Sequence, residues 1–276
     1  MKIQKTIILA ISVFFAGHSQ SIEKFSIDSG GSSTTAGGIE LIHTIGEVAI
    51  AERSNANLIL SEGFINATLK IRIDPVVFLQ GPFTNPVLGE ENLMRDDLRV
   101  NGLIPTTSPY EDAISCNATV FDVTGSNAIV DWIWIELRDS NDNTMVVLSQ
   151  SALLQRDGDI VDIDGISLLD INLPTGNYFV VISHRNHLGI MTANPINLSG
   201  GTTFLNFTTD SNDVFGGTNA INDLGNGLYA LYSGDFNGDG QVQNTDRLEV
   251  EILRGINGYD NADIDGNGEV QNTDLI

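Results

Sequence analysis

Apolar positions in this chain recur mostly at every second residue, in short runs separated by polar, glycine-rich turns, the pattern of strands that bury one face. Phe25-Ser26-Ile27-Asp28 alternates before a Ser29-Gly30-Gly31-Ser32-Ser33 turn, and Glu40 to Ile50 and Leu58 to Ile65 follow as strand candidates. Val76-Val77-Phe78-Leu79 and Thr119-Val120-Phe121-Asp122-Val123 read as further strands. Between them lies a loop-rich stretch, with a short helix expected from Leu93 to Val100 and breaks at Pro105 and Pro109. From Ile129 to Leu137 the alternation puts Ile129, Asp131, Ile133 and Ile135 on one face and Val130, Trp132, Trp134 and Glu136 on the other. Asp139 to Asn143 is a turn. Met145 to Leu148, Ile160 to Ile163, Leu168 to Ile171 and Phe179 to Ile182 are short strands. Helical spacing is clear only near the end, where Thr245 to Arg254 sets Leu248, Ile252 and Leu253 on one face and Gly255 marks a stop. The expected fold is mainly β. It comprises a β-hairpin region over 22–72, a β-sandwich over 73–207, a Gly/Asn/Asp-rich linker or covering loop over 208–229, and a small loop-and-helix module over 230–276.

That last module carries an internal repeat. Asp235-Phe236-Asn237-Gly238-Asp239-Gly240-Gln241-Val242-Gln243-Asn244-Thr245-Asp246 returns as Asp263-Ile264-Asp265-Gly266-Asn267-Gly268-Glu269-Val270-Gln271-Asn272-Thr273-Asp274, identical at eight of twelve positions. Oxygen-bearing side chains fall at positions 1, 3, 5 and 12: Asp235, Asn237, Asp239 and Asp246, then Asp263, Asp265, Asn267 and Asp274. Glycine stands at position 6, where a tight loop needs a positive φ. Such spacing brings oxygens to one point, as a hard cation with six to eight oxygen ligands requires, so the expected ion is Ca²⁺. Gln241 and Glu269 would add backbone carbonyls at position 7. Gln243 and Gln271 at position 9 would coordinate directly or through water. One acidic Asn/Gly turn could match by chance; two copies with matched flanks argue for a site.

Both loops end in Asp where an EF-hand loop ends in Glu. Duplicated Asp-ended calcium loops, each entering a helix, resemble the dockerin module over about residues 230–276. That resemblance implies a calcium-folded pair of loop-helix units that docks a protein partner, with positions 10 and 11 of each repeat, here Asn244-Thr245 and Asn272-Thr273, taking part in recognition. The sequence ends at Ile276, so the second repeat is expected to lack its helix. Ser26-Ile27-Asp28-Ser29-Gly30-Gly31, then Gly37-Gly38, then Thr44-Ile45-Gly46, resembles a motif of secreted bacterial surface proteins, some exported by the type IX route. Glu136-Leu137-Arg138-Asp139, a polar turn, a strand and Leu173-Pro174-Thr175-Gly176-Asn177-Tyr178 resemble the prealbumin-like or collagen-adhesin B-type sandwich, which implies a structural or adhesive role.

Composition narrows the function classes. The chain has 276 residues, with thirty-six acidic against thirteen basic side chains and a formal net charge of −23. It lacks the basic stripe that phosphate backbones need, so nucleic acid is excluded as a partner. At 41% hydrophobic it is a folded chain, not an acidic disordered one. Lys2 and Lys5 before the apolar run Thr6 to Ala16 read as a secretory signal over 1–21, cleaved near Ser19 or Ser21, and no other stretch is long enough for a membrane span. The expected location is extracellular or cell-surface. One cysteine, Cys116, rules out a disulfide scaffold and reads as a small buried hydrophobe, leaving calcium as the staple.

Three further constellations carry alternatives. His184-Arg185-Asn186-His187 could form an acid/base pair if Asp157, Asp159, Asp162 or Asp164 oriented it; the ordinary reading is a loop in which Arg185 ties neighbouring turns. Those four acids could hold a third cation or simply form a solvated hairpin. Trp132 and Trp134 could present a sugar-stacking platform or belong to the core. No nucleophile motif, His-Glu-x-x-His or phosphate loop is present. The expectation is therefore a secreted, non-enzymatic, structural or adhesive calcium-binding protein with a docking tail. The alternative is a carbohydrate-binding or polysaccharide-degrading protein tethered by that tail.

Overall fold

The computed structural model describes residues 71–275 apart from Gly200, together with the backbone of four strands closer to the N-terminus. The chain divides into two compact units, Met1–Thr68 and Leu69–Ile276. In the first, β1 (Gly30–Ala36) pairs antiparallel with β2 (Ile39–Ile45), and β3 (Glu52–Asn55) with β4 (Leu58–Ser61). Hairpins were expected here. Gly30 to Ser33, expected as a turn, run instead in the ladder opposite Ile42 to Ile45, because an extended apolar partner can carry permissive residues into register. The signal-peptide reading and the Phe25 strand lie outside the described residues.

The second unit is mainly β and consistent with a sandwich. Its strands are β5 (Ile71–Val76), β6 (Ile129–Asp139), β7 (Val146–Gln155), β8 (Ile160–Val161), β9 (Leu169–Ile171), β10 (Gly176–His184), β11 (His187–Met191), β12 (Ile196–Leu198), β13 (Thr202–Asn206), β14 (Asn222–Gly225) and β15 (Leu228–Ala230). Helices are short except the last: α1 (Gln80–Phe83), α2 (Asp97–Val100) and α3 (Asn244–Leu253). The large sheet runs β11-β10-β6-β7-β8 with β12 added on β10, and a small sheet runs β13-β5-β9. Ile71, Ile73 and Leu169 from the small sheet share one core with Ile133, Ile135, Leu154, Val180 and Ile182 from the large one. A second cluster covers the large sheet elsewhere, where Trp132, Ile129, Leu153 and Val161 meet Leu98, Ile104 and Val120. Both contributions follow from strands that are apolar at nearly every position, as strands buried on two faces must be.

The structure departs from the alternation pattern at several points. The register of β6 against β7 shifts between Ile129 and Asp131. This bulge puts Ile129 with Trp132 and puts Val130 with Ile133 and Ile135, reversing the expected faces of the first two residues. Thr119 to Val123 is not a strand. Ala118–Asp122 forms a 3-10 turn whose entry is capped by the Asn117 side chain accepting from the Thr119 amide at 3.1 Å, with Val120 buried. The helix expected over Leu93 to Val100 shrinks to α2, and the strand at Met145 extends through Gln155. Residues 208–229 contain β14 and the start of β15, and Ile221 is buried.

Candidate metal centre

The helix-forming pattern after the first loop fixes α3 at Asn244–Leu253, with Gly255 beyond it at φ 90°. Asp246, position 12 of the loop, is also the third residue of α3, and its Oδ2 accepts from the Gln243 amide at 3.0 Å. The same carboxylate draws the loop closed from the other side, its Oδ1 accepting from the Asn237 amide at 3.3 Å. Asp235 accepts from the Gly240 amide at 3.1 Å, a bond that position 6 reaches because Gly240 sits at φ 81°.

The second loop repeats this framework bond for bond. Asp263 accepts from the Gly268 amide at 2.8 Å, Asp274 from Gln271 at 2.8 Å and from Asp265 at 3.0 Å, and Gly268 has φ 89°. Asn272–Asp274 form a 3-10 turn. Its carboxylates converge further than those of the first loop. One oxygen each from Asp263, Asp265 and Asp274 lie within 4.8 Å of one another, the one such grouping of three or more His, Cys, Asp or Glu ligands among the described residues. Asp263 and Asp274 are buried and Asp265 half-buried, with Asn267 and Gln271 half-buried beside them and Glu269 exposed. In the first loop Asp235 and Asp246 are buried, while Asn237, Asp239, Gln241 and Gln243 are exposed.

These residues fit a hard divalent cation. Two unit charges under 5 Å apart repel by on the order of 3 kcal/mol at the effective dielectric near a protein surface, more than the backbone hydrogen bonds that hold each carboxylate contribute. Burial accordingly pushes the Asp263 carboxyl up to about 7, with Asp274 and Asp265 adding to the effect. Burial raises Asp274 and Asp235 as well. In the first loop, Asp235 Oδ1 is buried and accepts no hydrogen bond. An acceptor in that state is costly unless a cation meets it. Ca²⁺ bound at either loop would supply charge neutralisation and oxygen coordination. Asp235, Asn237, Asp239, Gln241, Gln243 and Asp246 would hold one ion, and Asp263, Asp265, Asn267, Glu269, Gln271 and Asp274 the other.

The histidine cluster lies behind the second loop. His184 and His187 face each other at the ends of β10 and β11, with Arg185-Asn186 as the turn. All four are buried. The Gly81 amide donates to His187 Nε2 at 3.1 Å, so the proton of that ring sits on Nδ1, which donates to Asn186 Oδ1 at 2.7 Å and faces His184 Nδ1 at 3.1 Å. His184 therefore carries its proton on Nε2, donated to Asp131 Oδ2 at 3.1 Å. Asp131 also accepts from Arg185 at 3.0 Å and from the Tyr259 hydroxyl at 2.6 Å. Burial opposes its charge, but Arg185 and His184 prevail and hold the carboxyl well below the usual range. Burial lowers both histidines. All four ring nitrogens are committed within the cluster, which leaves none for zinc or for proton transfer at a substrate.

The carboxylate that orients His184 is thus Asp131, not Asp157, Asp159, Asp162 or Asp164. Alternation within β6 could not find it, because the pairing of β6 with β10 is what sets Asp131 beside His184. Arg185 does tie turns together, as the ordinary reading held, and it also stacks on Tyr259 at 4.4 Å. Asp164 is used locally, accepting from Ser167 and Ile166. Trp132 is fully buried and Trp134 7% exposed, the latter packed against Tyr110, so neither offers a face to a sugar. Cys116 is half-buried, with burial raising its thiol. On α3 the inward residues are Val250 and Leu253, packed with Ala262, Ile264, Val270 and Phe236. Leu248 and Ile252, expected on the buried face with Leu253, are 57% and 73% exposed. No helix among the described residues is long and apolar enough to cross a membrane.

No protein-family model matches the sequence, and the search of curated proteins found no match. Two solved structures of interface mutants of a type II cohesin–X-dockerin complex from Acetivibrio cellulolyticus resemble it weakly. The C-terminal interface mutant matches with a TM-score of 0.35 and 11% identity over 74% of this chain and 90% of that one. The N-terminal interface mutant matches with a TM-score of 0.29 and 15% identity over 52% and 75%.

Proposed function

We propose that this is a secreted or cell-surface, non-enzymatic protein whose C-terminal repeats bind two Ca²⁺ ions and present a docking surface to a protein partner. The observation that carries the reading is the convergence of Asp263, Asp265 and Asp274 on a framework of hydrogen bonds that the first loop repeats. Calcium neutralises carboxylates that otherwise repel, so the free energy of binding becomes free energy of folding for both loops. The docking face is α3. Leu248 and Ile252 lie one turn apart on its outer side, with Val242 and Ile256 exposed before and after it. Solvent-facing apolar residues spaced this way suit a groove on another protein. Catalysis has no support in the histidine cluster, because its groups are buried and mutually satisfied. The sugar-binding alternative loses the tryptophan platform on which it rested.

Calorimetric titration of the mature chain with Ca²⁺ tests the reading, with two sites expected. Asp239→Ala should abolish the site in the first loop and leave the second. A wild-type chain that takes up no calcium at millimolar concentration would remove the basis of the proposal.

A further inference from the structure

The second loop holds its carboxylates closer than the first. The contacts around it name what shapes it. The Asn186 amide, on the β10–β11 turn, donates both protons into the loop's entry, to the Asn261 carbonyl at 3.0 Å and the Asp263 carbonyl at 2.8 Å. Arg185 donates to the Asp260 carbonyl one step earlier. Gly81, in α1, lies so close that a methyl group there would stand 1.9 Å from the Ile264 carbonyl oxygen. Pro82 and Leu98 face Gly266, Leu103 faces Gly268, and Asn101 donates to the Asn267 carbonyl at 3.4 Å. The first loop, by contrast, leaves its side-chain oxygens at positions 3 and 5 in solvent.

We infer that the sandwich braces the second calcium loop, with Asn186 as the positioning residue that sets the backbone at Asp263 and so the affinity of that site. This rests on the calcium reading above. Asn186 touches no ion. It acts through the peptide groups flanking Asp263, and its own orientation is set by His187 Nδ1 donating to its Oδ1 while His187 Nε2 is held by the Gly81 amide. The hydrogen bonds thus run from α1 through His187 and Asn186 to position 1 of the loop. Groups behind the ligands of a metal commonly change affinity by about 10- to 100-fold when removed. Coupling of this kind is reciprocal, so calcium at the second loop must in turn hold the β10–β11 turn and α1 more tightly.

The test uses the full chain with the first loop silenced by Asp239→Ala, so that one site remains. Adding Asn186→Ala should weaken calcium at that site by about 10- to 100-fold in a calorimetric titration. With Asn186 intact, calcium should slow hydrogen exchange of the Gly81 amide, and in the Asn186→Ala chain that slowing should be lost although the contact of Gly81 with Ile264 remains. An unchanged affinity in the Asn186→Ala chain would overturn the inference, as would a Gly81 amide indifferent to calcium while the site still fills. If Asn186→Ala fails to fold, the exchange measurement on the chain that retains Asn186 decides alone. A parent with both loops intact that binds no calcium would instead show failure of the calcium reading itself.

Discussion

His184 and His187 show how much a single residue's surroundings decide. Each ring is buried and neutral, and each proton has one place to go. In the unfolded chain both titrate near 6.5, so below that pH the unfolded state takes up protons that the native state refuses. Stability is therefore present in full above about pH 6.5 and falls as the pH drops through and below it, by up to about 1.4 kcal/mol per pH unit for each ring. Asp263 acts with the opposite sign in the absence of calcium, since a carboxyl raised to about 7 favours the folded state as pH falls from 7 toward 4. Urea unfolding in saturating calcium isolates the histidines. Midpoints should decline steadily between pH 7 and pH 5, and a flat profile over that range would contradict the buried neutral pair.

At the level of elements, α3 is the part whose orientation is least expected. Val250 faces inward onto Ala262, Ile264 and Val270, and Leu248 and Ile252 face solvent. Both sets are apolar, so helical spacing alone cannot rank them. The second loop decides, because it presents its own apolar residues, Ile264 and Val270, to one side of the helix. Ile252→Ser should leave the isolated chain's stability within about 0.5 kcal/mol, as surface substitutions do, whereas Val250→Ala should lower it by about 1 kcal/mol or more. Equal losses in chemical denaturation would mean that the outer face is not free to dock a partner. The β10–β11 turn stands in a similar relation to its sequence. Two histidines three residues apart suggest a ligand pair, but the turn aims Asn186 and Arg185 at the entry of the second twelve-residue loop and locks the rings behind them.

For the whole molecule, the packing of the second twelve-residue loop onto the sandwich has a physical consequence. Residues from Leu69 onward form one compact unit, and the second loop lies against α1, α2 and the β10–β11 turn. An ion at a hundredfold excess over its dissociation constant adds about 2.7 kcal/mol per site. If the loop melts with the sandwich, a chelator should shift a single cooperative transition of this unit to lower temperature. Two transitions in calorimetry, with calcium moving only the smaller, would show the loops to be a separately folding tail.

The sequence by itself determined the local features. Alternating apolar runs specified a mainly β chain, and the matched twelve-residue repeats specified where converging carboxylates, positive-φ glycines and the α3 start would fall, because each depends on spacing within one short segment. Three things were decided only by tertiary structure. The pairing of β6 with β10 set Asp131 beside His184, and alternation within one strand does not name its neighbour in the sheet. The inner face of α3 was set by the apolar residues of a loop that packs on it. The second twelve-residue loop packs against Gly81, Asn186 and Leu103, which lie far from it in sequence. Backbone carbonyls accept hydrogen bonds alike whatever their side chains, so nothing in the loop's own residues names the distant donors that hold it.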